Sequence, residues 1–165
     1  MASFEELSKK SLKELNAIIE EYVEEITADY GDSNAETEWQ HNHFCLSHYN
    51  WDGGMEFPKA VIAHPDCDKG TALLTFWFMM PSFYLKYSEE EFDKYELEDF
   101  IFLKKIAEKF VNGEFKTEKI KFDPQNDNGI NWIKNLEGIK KKNEWEIPEI
   151  LFKATEGRII SDEEY

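Results

Sequence analysis

Four histidines and two cysteines are the side chains best suited to metal binding or nucleophilic chemistry, and all six fall within residues 41–67. On a helix over residues 36–49, His41, Cys45 and His48 take positions i, i+4 and i+7 and share one face. His64-x-x-Cys67 can join them from the next turn. Nitrogen and sulfur ligands of this kind suit zinc. A cysteine beside a histidine is also the minimal kit for covalent catalysis. Two features oppose both readings. No CxxC pair occurs and the spacing matches no standard zinc pattern. A free cysteine most often packs as a small apolar residue, and a histidine at a helix contact commonly satisfies a carbonyl. Paired-carboxylate chemistry could be drawn from any of thirty-five acids, so composition singles out no pair. No GxSxG, P-loop or GxGxxG sequence is present. The reading from sequence is therefore no catalytic residue, no metal and no cofactor. A small metal- or cysteine-dependent enzyme built on His41, Cys45, His48 and Cys67 is the alternative.

The elements that would carry these residues read as helices. Over residues 3–30, Phe4, Leu7, Leu12, Leu15, Ile18, Ile19, Tyr22, Val23, Ile26 and Tyr30 recur at helical steps. Ser3-x-x-Glu6 and Ser11-x-x-Glu14 read as two capping boxes, which predicts two helices with a break near Lys10. Gly31 ends the second. A helix over 36–49 and a turn over 50–54 follow. Pro58 is expected at a first helical position. Asp68 or Cys67 caps an all-apolar helix starting at Gly70-Thr71-Ala72-Leu73, expected to be central and buried, which Pro81 kinks or ends. Ser88 and Glu91 form another capping box ahead of a helix to Val111. Residues 115–122 alternate enough to predict a minor β-hairpin. Residues 123–129 are a loop, 130–136 a short helix and 148–156 a second proline-started helix. Residues 146–152 echo 56–62. The fold class is mainly α: a single-domain helical bundle or array over residues 1–165, with 38–85 as its core segment.

Asn50, Trp51 and Asp52 have a sufficient structural account. The two polar side chains close an Asx-type turn and the indole buries against the apolar helix. Asp66 and Asp68 do the same around Cys67. Taken together, Asn50-Trp51-Asp52-Gly53, Pro58, Cys67-Asp68 and Gly70-Thr71-Ala72-Leu73 resemble the bacterial domain-of-unknown-function 4274 family. The likeness covers residues 38–85. It departs at Gly53, where the family pattern carries a second aspartate. That family has no established activity, so the resemblance supplies no catalytic residue. It implies bacterial origin and neighbourhood with contact-dependent or secreted toxin systems.

Charge points to a partner class. The net charge is −16. Residues 1–40 hold eleven acids against three bases, whereas residues 100–143 hold ten lysines against six acids. The bases are eighteen lysines and one arginine, Arg158, so bidentate reading of phosphate or base edges has almost no means. Such a field repels nucleic acid and anionic membrane and attracts basic proteins. Two cysteines, an acidic opening sequence and no long apolar run predict a reduced, cytoplasmic protein. The expected function is toxin immunity, by stoichiometric binding of a basic cognate toxin domain, possibly a nuclease. Glu20, Glu21, Glu24, Glu25, Asp29, Glu89, Glu90 and Glu91 are the expected contact residues. A housekeeping protein-interaction module is the third possibility.

Overall fold

The computed structural model describes residues 2–161. Its regular elements are helices: α1 (Phe4–Ser8), α2 (Leu12–Tyr30), α3 (Glu38–Ser47), α4 (Glu56–Ala63), α5 (Lys69–Phe78), α6 (Pro81–Leu85) and α7 (Lys94–Val111). Short 3-10 turns lie at Trp51–Gly53, Glu89–Glu91, Trp132–Leu136 and Glu149–Phe152. The mainly α reading holds. The chain breaks between α1 and α2 where the second serine cap predicts it. Ser3 and Ser11 accept from the amides of Glu6 and Glu14, donors that the first turn would otherwise leave bare.

Helix α5 is the axis of the core. Every residue from Gly70 to Trp77 is buried, because the segment is apolar all round and can shed water only by being surrounded. Helices α3 and α7 pack on it, α1 and α2 pack on α4, and α7 meets the turn at Glu149–Phe152. The Trp77 indole N–H donates to the Leu151 carbonyl at 2.8 Å, which fixes that turn over the end of α5. Tyr84, Phe92, Phe100 and Trp145 extend the core as a ring cluster, with Tyr84 and Phe100 stacked at 5.7 Å.

Three expectations are corrected. Residues 115–122 do not form a hairpin. The segment is extended, and its bridge is a parallel one from Ile120 to Arg158, near the other end of the described chain. Lysines and no adjacent apolar strand left it to pair through loops: Lys121 N donates to Arg158 O and Arg158 N to Lys119 O, both at 2.9 Å. Pro58 is not the first helical residue. Helix α4 starts two residues earlier at Glu56, after Met55, and a proline anywhere in the first turn lacks only an N–H with no intrahelical partner. The echo between 56–62 and 146–152 is not structural: the first copy is a buried eight-residue helix and the second a 3-10 turn.

Candidate functional site

The cysteine and histidine residues are spread over separate contacts. On α3, Cys45 Sγ lies 3.6 Å from His41 Nε2. Thr27 Oγ1 of α2 is 2.9 Å from the same nitrogen, and Ser33 Oγ is 3.0 Å from Nδ1. The imidazole therefore has a hydroxyl on each nitrogen and clasps α2 to α3. His48 lies between Tyr30 and Phe44, with ring centroids 4.6 and 4.5 Å away. Cys67 sits in the turn before α5, its thiol 3.6 Å from the Asp68 carbonyl. Among the described residues, no three His, Cys, Asp or Glu side chains are arranged to hold a metal. Both thiols are buried. Burial pushes Cys45 up despite the Thr27 hydroxyl, and pushes Cys67 up much further. Protonated, shielded sulfur is a poor nucleophile.

His43 and His64 are structural. His43 is buried beside the Thr71 hydroxyl, 3.0 Å away, and loss of water lowers it from 6.5 to about 4. His64 accepts from Asp66 N at 3.0 Å, and its Nε2 is 2.8 Å from Asn16 Oδ1.

Asp68 does more than cap α5. Its Oδ2 accepts from Gly70 N at 2.9 Å and Ile120 N at 3.1 Å. Its Oδ1 accepts from Thr117 Oγ1 at 2.6 Å and Lys119 N at 2.7 Å. One buried carboxylate thus fastens the central helix to the extended segment. Gly70 is required there, since an added Cβ would stand 2.0 Å from Ile120 O.

The Asn50–Gly54 turn is closed as its residues predict. Asn50 Oδ1 accepts from Asp52 N at 3.1 Å, and Tyr49 Oη donates to Gly54 O at 2.7 Å. Trp51 is only partly buried. It meets Tyr49 edge-on at 5.7 Å and Phe78 at 5.8 Å. Its indole N–H is shielded from solvent and has no partner among the described residues. The turn connects to α2 through Tyr22, which stacks on Phe57 at 5.1 Å and donates to Glu56 at 3.1 Å. Burial, then the Glu56 carboxylate, pushes Tyr22 up to about 12.

Beside this turn lies a cleft of about 620 Å³, walled by the turn, the α5–α6 junction and α7. At the junction Met80 holds φ 57°, a left-handed conformation that a methionine before a proline rarely adopts. Asp99 lines the cleft with its Oδ1 3.8 Å from Lys59 Nζ. Lys59 is 2 % exposed, and its ammonium lies 5.9 Å over the Phe102 ring. Burial pushes Asp99 up and Lys59 opposes this. Neither the pairing of buried Lys59 with half-buried Asp99 nor the cleft is read from the sequence; the Met79-Met80-Pro81 junction is the signal for the latter. A second depression of about 460 Å³ mixes Lys116 and Lys119 with Glu38 and Asp66, so no one charge dominates it.

The predicted contact acids differ in setting. Glu20, Glu21, Glu24, Glu25 and Asp29 are all exposed, away from the buried Leu15, Ile19 and Ile26 of α2. None of the five is in an ion pair among the described residues, whereas Glu89 pairs with Lys104 at 3.2 Å and Glu91 with Lys142 at 3.7 Å. Glu91 also caps Ser88. Of that run, Glu90 alone has no such cation among the described residues.

Residues 37–111 match the model of a family described as Domain of unknown function (DUF4274). The match bears out the resemblance and carries it beyond residue 85, through α7. It takes in α3–α7, and so Asp68 and the cleft, but neither the extended segment that Asp68 fastens nor the acidic α2. No curated protein and no solved structure matches the chain. Among the described residues, no helix is long and apolar enough to cross a membrane.

Proposed function

We propose that this chain is a non-enzymatic acidic binding protein that neutralises a basic protein by stoichiometric occlusion, as bacterial toxin-immunity proteins do in the cytoplasm. The carrying observation is the outer face of α2. Glu20, Glu21, Glu24, Glu25 and Asp29 stand exposed without a cation partner among the described residues. Like charges one turn apart weaken a helix slightly. They also create a field that speeds encounter with a cationic surface. The anionic set stands on a rigid element whose other face is fixed in the core. The burial of both thiols supports binding over cysteine catalysis. The surface disfavours nucleic acid and anionic membrane for the same electrostatic reason.

The test takes as partner the protein encoded by the neighbouring gene, which this reading expects to be basic and toxic. Co-expression should relieve its toxicity, and the two should elute as one complex of fixed stoichiometry. Replacing Glu20, Glu21, Glu24 and Glu25 with glutamine should slow association several-fold at low salt, with the difference shrinking as salt is added. Association unchanged by the four substitutions removes the electrostatic mechanism. Turnover of any substrate, abolished by changing one side chain, removes the binding reading altogether.

A further inference from the structure

We infer that Asn128 is a site of spontaneous covalent modification, which passes through a succinimide to aspartate and isoaspartate with no enzyme. The chain has two asparagines followed by glycine, at Asn112-Gly113 and Asn128-Gly129. In such a pair the glycine backbone nitrogen attacks the side-chain carbonyl carbon of the asparagine, since the following residue has no Cβ to crowd the approach. A bond forms between that nitrogen and that carbon. The bond from the carbon to the side-chain nitrogen breaks, and ammonia leaves with the proton of the glycine N–H. Water then opens the ring at either carbonyl, giving aspartate or isoaspartate.

Both asparagines are exposed, so exposure does not separate them. Their backbones do. Asn112 is the C-cap of α7, and its ψ of −1° turns the Gly113 nitrogen back onto the helix. Gly113 N donates to Phe110 O at 3.2 Å, and Glu114 N to Lys109 O at 3.0 Å. Phe110 and Phe115 are buried on either side, with ring centroids 6.2 Å apart. Attack by Gly113 therefore requires a cap anchored at both ends to come undone.

Asn128 and Gly129 are the central pair of a two-residue hairpin turn. Their φ values of 53° and 88° are both left-handed, as a type I′ turn requires. Asp127 and Ile130 close the turn with two backbone hydrogen bonds of 2.8 Å. Gln125, Asn126 and Ile130 are exposed as well, so the turn buries little surface and opens as a small local unit. The Asn128 side chain has no hydrogen-bond partner among the described residues. The Gly129 nitrogen is held by Asn126 Oδ1 at 3.1 Å, an exposed acceptor that water replaces at small net cost. Either product adds a negative charge. Isoaspartate also routes the backbone through the side chain and lengthens the turn by one carbon, so the two Asp127–Ile130 bonds no longer close together. Trp132 depends on that turn. Its backbone N donates to Pro124 O at 2.8 Å, its indole donates to Asp127 Oδ2 at 3.0 Å, and its ring lies 4.7 Å from that of Phe78.

The experiment incubates the full chain at physiological temperature and mildly alkaline pH, in buffer and in urea. It follows the gain of one mass unit by peptide mapping, and isoaspartate by enzymatic methyl labelling. In the native protein Asn128 should convert about tenfold faster than Asn112, because a local turn opens at lower cost than an anchored helix end. In urea the two should convert at comparable rates, since only sequence then distinguishes them. The native rate should rise with pH, as the attacking nitrogen must shed its proton. Asn126→Ala, which frees that nitrogen, should speed conversion severalfold. Asn128→Gly keeps the positive φ of the turn and should abolish conversion there. A second Trp132 indole N–H resonance should grow in step with isoaspartate in the native protein and not in Asn128→Gly. Asn128 remaining intact in the native protein while it converts in urea overturns the inference. So does a ratio between the two asparagines that is the same in buffer and urea. A Trp132 resonance unmoved by isoaspartate overturns the structural consequence.

Discussion

Asp68 shows how one side chain can hold a fold together. Its four acceptor contacts come from three backbone amides and one hydroxyl across some fifty residues of sequence. Hydrogen bonds to a carboxylate are stronger than neutral ones, and a buried donor stripped of its acceptor bears its full desolvation cost. Asp68→Asn keeps the shape but turns an acceptor into a donor among donors. It should destabilise by roughly 2–4 kcal/mol, read from urea unfolding. A loss under about 0.5 kcal/mol, the range of ordinary surface changes, would sink the idea that the junction depends on it. His43 makes a second prediction. Its folded pKa is depressed from 6.5 to about 4, so the fold favours the neutral ring. Stability from this group is full above pH 6.5 and falls as acid protonates the unfolded chain between 6.5 and 4. The total is about 3 kcal/mol. His43→Gln should flatten that part of the pH profile; an equally steep profile in the variant would assign the acid sensitivity elsewhere. Both thiols should resist iodoacetamide in the native protein and react on unfolding, since burial keeps them protonated. Rapid labelling of Cys45 in the folded chain would reopen cysteine chemistry.

At the scale of elements, helix existence was legible and partnership was not. The serine caps, the break before α2, Asp68 as the cap of α5 and the burial of α5 follow from local chemistry: which side chains can satisfy bare amides, and which segment has no polar face. The extended residues 115–122 were misread because their alternation is real but their partner lies about forty residues on. Short-range pattern specifies a conformation without specifying what it pairs with. Gly70 is the point where α5 and that segment touch. Gly70→Ala puts a methyl group against the backbone of Ile120, so it should cost about 3 kcal/mol or more and loosen residues 117–120 in hydrogen exchange. A neutral Gly70→Ala would mean the two elements are further apart than described.

For the whole molecule, charge distribution decides what can approach. Lysines from residues 100–143 neutralise part of the acidic surface internally, as Lys104 does Glu89 and Lys142 does Glu91. The five acids on the outer face of α2, Glu20, Glu21, Glu24, Glu25 and Asp29, have no such ion pair among the described residues. Association with a basic protein should therefore depend on α2 and on salt, and glutamine replacements in the Glu89–Glu91 run should matter less than those at Glu20–Glu25. Equal effects from both sets, measured by stopped-flow mixing, would mean that net charge and not the α2 face governs encounter.

The amino-acid order alone determined the helical class, the serine caps of the first two helices, the turn at Asn50–Gly54 and the sign of the molecule's own charge, because each depends on near neighbours or on a sum over residues. The folded body decided the rest. It dispersed the histidines and cysteines among hydroxyls and rings, gave Asp68 its distant donors, buried Lys59 against Asp99 and opened a cleft under Trp51. Those outcomes depend on which faces meet across long separations, and packing in three dimensions sets them.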